Sequence, residues 1–227
     1  KNFIDYAYHQ WAGPAPSFVL LVGDANFNPM GYNPTYYGPW EPTYLPTFNL
    51  VIDPYTGEVA VDNEFATVSG SDILPDLYIG RMPAQTAAAA SAMVNKTIEY
   101  ERITRPADWR QHTLFVADNY LSATGVPDPA GNFEEVIQGV IAETIPDWYT
   151  IDRVYYDPNP NRPPDAWRYP TTNQARDAVA AAINNGALFT NYVGHATIDK
   201  WAENVWTTGD IPLLNNLDRP TIAVSMD

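Results

Sequence analysis

Three histidines and no cysteine limit the chemistry that these 227 residues can perform by themselves. One histidine stands apart by its setting. The stretch "GALFTNYVGHATIDKW", residues 186–201, runs an apolar segment into Gly194-His195. An imidazole in such a turn can take up and return a proton near neutral pH. Gly194 in front of it lets a backbone or a ligand approach closely. His9 falls in an N-terminal helical pattern and His112 opens an apolar segment, so both read as structural residues. Polar residues close several other apolar segments: Asp24, Asp53, Asp118 and the terminal Ser225-Met226-Asp227. Each has a plainer reading. His195 can be a loop residue, Asp24 the partner of a turn amide, and Asp118-Asn119 the start of a loop. Arg81 reads as the cation of a structural salt bridge, because arginine is rarely buried without a partner.

Other chemistries lack their residues. No G-x-G-x-x-G follows a strand and no G-x-x-x-x-G-K-[ST] occurs, so the usual phosphate cradles are missing. Neither H-E-x-x-H nor G-x-S-x-G is present. Gly-Asp after one strand and Gly-His after another suggest a metal-dependent phosphoesterase, but further His and Asn ligands for two metals are lacking. A net charge of −15 and a pI near 4.3 argue against a nucleic-acid partner. The same acidity suits a solvated surface and also a structural calcium ion, which prefers oxygen ligands. No apolar run of about 18 residues occurs, so no membrane span is expected. The absence of cysteine leaves the redox compartment open. The chain opens "KNFIDYAYHQW", without an initiator Met or a signal-peptide pattern. It is expected to be an excised or processed piece of a longer protein.

The elements that must position these residues follow from periodicity. "SFVLLVGD" (17–24), "TFNLVID" (47–53), the brief strand within 74–86, "HTLFVAD" (112–118), "YTIDRVYYD" (149–157), "ALFTNYV" (187–193) and "RPTIAVSMD" (219–227) read as strands. The first reads as buried on both faces. Helices are expected over 87–102, capped by Thr86, and from Asn132, where Glu135 three residues on completes a capping-box pattern. Phe133, Val136, Ile137, Val140 and Ile141 form the apolar stripe of the second helix. A third spans 173–185, with Thr172 as its cap and Gly186 as its stop. Residues 26–46, dense in Pro, Tyr, Gly and Asn, read as a long loop suited to binding. Alternating strands and helices indicate an α/β fold with a mainly parallel sheet and no internal repeat. In such sheets ligands bind outside the carboxyl ends of the strands. That places His195 and Asp118 on one rim.

Several stretches taken in order resemble one family. "FVLLVGD", "LPDLYIGRMPAQT…KTIEYER…DWR", "TLFVADN", "NYVGHATIDKW" and "RPTIAVSMD" are similar to the catalytic domain of gingipain-type cysteine peptidases. The match runs over nearly the whole chain. It implies a caspase-like three-layer α/β/α sandwich, with residues 1–227 as a single catalytic domain incomplete at its C-terminal side. It implies a Cys–His dyad in which His195 is the histidine and the cysteine follows directly after Asp227. It implies that backbone N–H groups at the Gly194 turn stabilise an oxyanion. It also implies a substrate pocket that includes Asp118 and Trp201, with Asp118 as the candidate to receive a cationic side chain. The expected substrate is a polypeptide, no cofactor is required for catalysis, and the location is secreted or cell-surface. The nucleophile is expected on a continuation of this chain or on a second fragment of the same precursor. The competing reading is a catalytically inactive, peptidase-like module that binds peptide or surface glycan through loop 26–46, with Tyr37 and Trp40 as contacts.

Overall fold

A computed structural model describes residues 1–32, 35, 40–54, 57–102, 108–163 and 165–226. Tyr37, Asp227 and the side chain of Asp53 lie outside the described residues, as does part of loop 26–46. Contacts divide the chain into two compact units, Lys1–Glu99 and Tyr100–Asp227.

In the first unit helix α1 (Asn2–Gln10) precedes strand β1 (Phe18–Val22), and β2 (Asn49–Asp53) forms an antiparallel hairpin with β3 (Gly57–Ala60). Strand β4 (Tyr78–Met82) runs parallel to β1. The expectation that residues 17–24 form a strand buried on both faces is corrected. Among the described residues of this unit β1 has β4 as its one strand neighbour, and of its five residues Leu21 is buried while Phe18, Leu20 and Val22 are exposed. Arg81 pairs with Asp62 as expected of a structural cation. Its Nε donates to Asp62 Oδ2 at 2.7 Å and its Nη2 to Oδ1 at 2.8 Å. Its Nη1 reaches the carbonyls of Gly23 (2.7 Å) and Leu45 (2.8 Å), tying three segments together. The Arg81 guanidinium holds the Asp62 carboxyl below its usual range, against an opposing effect of burial. A carboxyl lowered in the fold stabilises it above the ordinary carboxylate range, and that stability is lost as pH falls through the lowered value. Asp62→Asn is therefore expected to destabilise near neutral pH and to differ less and less from wild type below about pH 4, read from melts across the acid range.

Helix α2 (Ala87–Arg102) starts where expected, with Thr86 Oγ1 accepting from the Ala89 amide at 3.0 Å. In the second unit, strand β5 (His112–Ala117) is followed by α3 (Phe133–Thr144), β6 (Thr150–Tyr156), the two-residue β7 (Arg168–Tyr169) and α4 (Thr172–Asn185). Strand β8 (Phe189–Val193), the short β9 (Ala196–Thr197) and β10 (Lys200–Trp201), and β11 (Ile222–Met226) complete it. The cap of α4 is Thr171 rather than Thr172: its hydroxyl accepts the Gln174 amide at 3.3 Å. Gly186 ends that helix at φ 106°, against the Trp109 side chain, where no Cβ fits.

The sheet of the second unit has five strands in the order β11-β8-β5-β6-β7, all parallel. Strand β5 is apolar at almost every position because both of its faces are covered. Leu114 and Val116 pack with Val154, Tyr192 and the α4 residues Ala175, Val179 and Ile183. The alternate residues Phe115 and Ala117 pack with Tyr155, Val193 and the α3 residues Phe133, Ile137 and Ile141. Period-two alternation along β5 thus feeds two separate helices, and the unit is a three-layer α/β/α sandwich of the caspase-like kind. Each fully buried Val or Ile in these layers contributes about 1.5–3 kcal/mol.

Candidate active site

Parallel pairing aligns the strand ends. Ala117 of β5 lies opposite Val193 of β8, and Val193 lies opposite Met226 of β11. The next residue on β5 is Asp118, and the next two after β8 are Gly194 and His195. The imidazole and the carboxylate therefore meet at the rim because of register alone.

Asp118 is 3% exposed. Its Oδ2 lies 2.9 Å from His195 Nδ1 and accepts the His195 amide at 3.2 Å, while Oδ1 accepts the Asn119 amide at 2.7 Å. Three N–H donors converge on this carboxylate. A carboxylate that accepts from Nδ1 requires the proton on that nitrogen, which leaves the Nε2 lone pair outward. The His195 side chain is 56% exposed, so Nε2 is open to a reaction partner. The His195 carbonyl is fixed by the Tyr192 hydroxyl at 2.6 Å and by the Ala202 amide at 2.8 Å. Tyr192 is buried and lies flat on Trp201, with ring centroids 4.4 Å apart and planes within 3°. Phe133 meets the imidazole at 5.3 Å with the rings at 84°.

A cavity of about 280 Å³ opens beside the imidazole, lined among others by Asp118, Asn119, Asp128, Lys200, Trp201 and Glu203. Trp201 forms part of its wall. Asp128 Oδ2 is 3.8 Å from His195 Nδ1. The expected role of Asp118 as receiver of a cationic substrate side chain meets a buried carboxylate already bound to His195. Asp128 and Glu203 are the lining acids not engaged with His195 by a hydrogen bond. The backbone of Gly194 is engaged as well. Its amide donates to the Met226 carbonyl at 3.2 Å, continuing the β8–β11 ladder. Gly194 is required by a close approach. Its φ is 153°, and a Cβ there would lie 2.2 Å from Asp118 Cβ and 2.7 Å from the Tyr192 hydroxyl. The close approach brings the carboxylate and the imidazole together.

Sequence reasoning missed Asp128, Phe133 and Tyr192 as neighbours of His195. Asp128 sits in a loop with no periodicity, while Phe133 and Tyr192 belong to apolar patterns in which a core role and a site role look alike. Asp24 has the turn role considered for it, accepting the Ala25 amide at 3.0 Å. For the calcium expectation, no group of three or more His, Cys, Asp or Glu arranged to hold a metal occurs among the described residues. No helix among them is long and apolar enough to cross a membrane.

Peptidase family C25 matches residues 1–227. Gingipain R2 of Porphyromonas gingivalis is 28% identical over 95% of this chain, and Lys-gingipain of the same organism 24% identical over 99%. These matches span 24% and 11% of the relatives' own lengths. Among solved structures, the Arg specific cysteine proteinase gingipain R superposes with a TM-score of 0.63 at 22% identity, covering 99% of this chain and 43% of that one. A complex of pro- and mature domains of Porphyromonas gingivalis RgpB gives a TM-score of 0.64 at 20% identity, covering 99% and 44%. The structural likeness shows the fold, and the match along the sequence shows the lineage: this chain belongs to Peptidase family C25.

Proposed function

We propose that the protein containing this chain is a cysteine endopeptidase, with His195 as general base and acid and a thiol supplied from directly beyond β11. The observation that carries this reading is the order of strand ends. Met226 lies opposite Val193 in a parallel pair, and neighbouring strands run about 4.8 Å apart with about 3.3 Å per residue. A side chain two residues beyond Met226 then comes alongside Gly194-His195, within reach of Nε2. Asp118 holds the imidazole in the tautomer that leaves Nε2 free to accept.

The reaction follows from that geometry. The thiol proton passes to Nε2, and the Asp118 carboxylate stabilises the resulting imidazolium. The thiolate attacks the peptide carbonyl carbon, and the carbonyl electron pair moves onto oxygen. Collapse breaks the C–N bond as Nε2 returns the proton to the leaving amine. Water then gives a proton to Nε2 and its oxygen attacks the thioester, which releases the acid and regenerates the thiol. Asp128 and Glu203 line the cavity next to this centre and favour a cationic side chain beside the scissile bond. Relatives of this chain carry the descriptions Lys-gingipain and Arg specific cysteine proteinase, which supports the same preference. The reading also implies a secreted or cell-surface location and a nucleophile borne by the same precursor.

The test is alkylation of the parent protein with iodoacetamide at neutral pH. A single cysteine directly after Asp227 is expected to label fast, and His195→Ala to slow it about tenfold or more, because the thiolate is the reacting form. Equal rates with and without the imidazole, or another residue type in that place, overturn the assignment.

A further inference from the structure

Glu134 breaks the pattern of its helix. It sits one residue into α3, where a charged side chain normally faces water, yet it is 6% exposed. Its carboxylate takes hydrogen bonds from Arg162 at 2.8 and 3.1 Å and from Arg168 at 3.1 and 3.4 Å. Both arginines belong to the segment between β6 and α4. Asp157, buried at the end of β6, lies 3.0 Å from Arg162 Nη1 through Oδ2 and accepts the Asn159 amide through Oδ1 at 3.0 Å. Four charged groups from three segments are thus packed at the first turn of one helix.

Such a cluster is a costly way to hold a helix. Removing carboxylates and guanidinium groups from water takes back much of what their attraction provides. A cap and an acidic first turn were already available: Asn132 Oδ1 accepts the Glu135 amide at 3.3 Å, and Glu135 lies exposed beside it. What the cluster adds is a fixed position for the first turn. The residue next to Glu134 is Phe133, whose ring, 8% exposed, meets the His195 imidazole at 5.3 Å and 84°.

The other groups facing His195 do not constrain it from the Phe133 side. Asp118 grips Nδ1, Asp128 stands 3.8 Å from the same nitrogen, and Lys200 and Glu203 belong to the cavity wall. One hydrogen bond at Nδ1 leaves the ring free to tilt about that contact. A perpendicular aromatic ring at about 5 Å is a favourable contact that removes this freedom.

We propose that Phe133 is a positioning residue for His195, held in place by the Glu134–Arg162–Arg168 cluster. The kinetic half of this inference rests on the peptidase reading; the half that concerns the imidazole does not. Phe133 touches no substrate in this account. It acts by keeping Nε2 aimed at the thiol side of the rim.

The experiment uses the parent protein with [15N]histidine labelling, the His195 signals being assigned by their loss in His195→Ala. In wild type, the His195 ring is expected as one tautomer protonated on Nδ1, with a cross-relaxation contact to the Phe133 ring. Phe133→Ala is expected to broaden or average the two ring nitrogens and to lower kcat by about ten- to a hundredfold through misplacement, while KM stays within about twofold. Phe133→Leu, which keeps bulk, should recover part of the loss. Glu134→Gln should shift the same signals in the same direction by less, which keeps the test open if Phe133→Ala folds poorly. Unchanged imidazole signals and unchanged kcat in folded Phe133→Ala, or in folded Phe133→Leu and Glu134→Gln if the alanine variant does not fold, overturn the proposal. If the parent shows no His195-dependent hydrolysis, the peptidase reading falls, and the nitrogen spectra alone decide whether Phe133 orients the ring.

Discussion

On the peptidase reading, Asp118→Asn in the parent protein is expected to lower kcat by about 10²- to 10⁴-fold with little change in KM, the range of a general-base contribution. The substitution keeps the size of the side chain and the turn it closes. It changes what faces Nδ1. The carboxylate now accepts from Nδ1 at 2.9 Å and from the His195 amide at 3.2 Å through one oxygen. An amide has one acceptor and one donor, and the backbone N–H of His195 can bond only to an acceptor. If the amide oxygen stays on that N–H, Nδ1 can share it and the ring is held more weakly without a negative charge to balance an imidazolium. If the NH₂ turns toward the ring, Nδ1 must give up its proton and Nε2 takes it, so the base is lost. Both arrangements weaken proton transfer, and only the second removes it, hence the breadth of the range. Steady-state kinetics on one cleavable peptide, with alkylation of the thiol alongside, checks the outcome. A kcat within threefold of wild type would show that the imidazole needs no carboxylate behind it.

The residues of this pair differ in how far they could be read from sequence. His195 was legible because Gly-His follows an apolar strand in a chain with three histidines, and because the surrounding segments resemble a family. Asp118 was placed on the right rim by the rule that strand ends collect function, but its pairing with His195 was not foreseen. The rule fixes which end of the sheet a residue occupies and says nothing of which neighbour it meets. That depends on the order β11-β8-β5, set by long-range pairing. The use of the Gly194 amide was hidden for the same reason: it bonds to the neighbouring strand, and no local pattern reveals a neighbour. The helices were legible almost to the residue, since caps and periodicity are local. Buried strands were legible by composition, yet β1 and β11 show that an apolar strand need not be covered on both faces within the described residues.

Glu134 marks the opposite limit, because the amphipathic stripe of α3 assigned that position to solvent. Val136 and Val140 of the stripe are 50% and 39% exposed, while Glu134 is 6% exposed. The stripe was right in period and shifted in direction, since two arginines from beyond β6 fold over the first turn. Glu134→Ala is therefore expected to cost about 3–5 kcal/mol, a penalty set by the charges left behind more than by the bond lost. Arg168 shows why. Its hydrogen bond to Glu134, with burial opposing, raises its pKa above a value that is already high, so it stays charged at every accessible pH and cannot escape by losing its proton. Arg162 and Asp157 would remain as a pair, but of its carboxylate partners among the described residues Arg168 would keep the outlying Asp165 at 3.6 Å and Asp157 at 3.7 Å, besides a long hydrogen bond to the Pro163 carbonyl at 3.4 Å. A change of this size lowers the melting temperature by roughly 10 °C, against a control such as Val136→Ala at a half-exposed site. The sign of a second measurement separates the charge penalty from loss of packing. Replacing Glu134, Asp157, Arg162 and Arg168 together by uncharged residues of similar size should cost less than Glu134→Ala alone, because no charge is then left buried without its partner. If the fourfold replacement instead costs more, the cluster contributes net stability through its own attraction, and the helix start is held by energy rather than by fit.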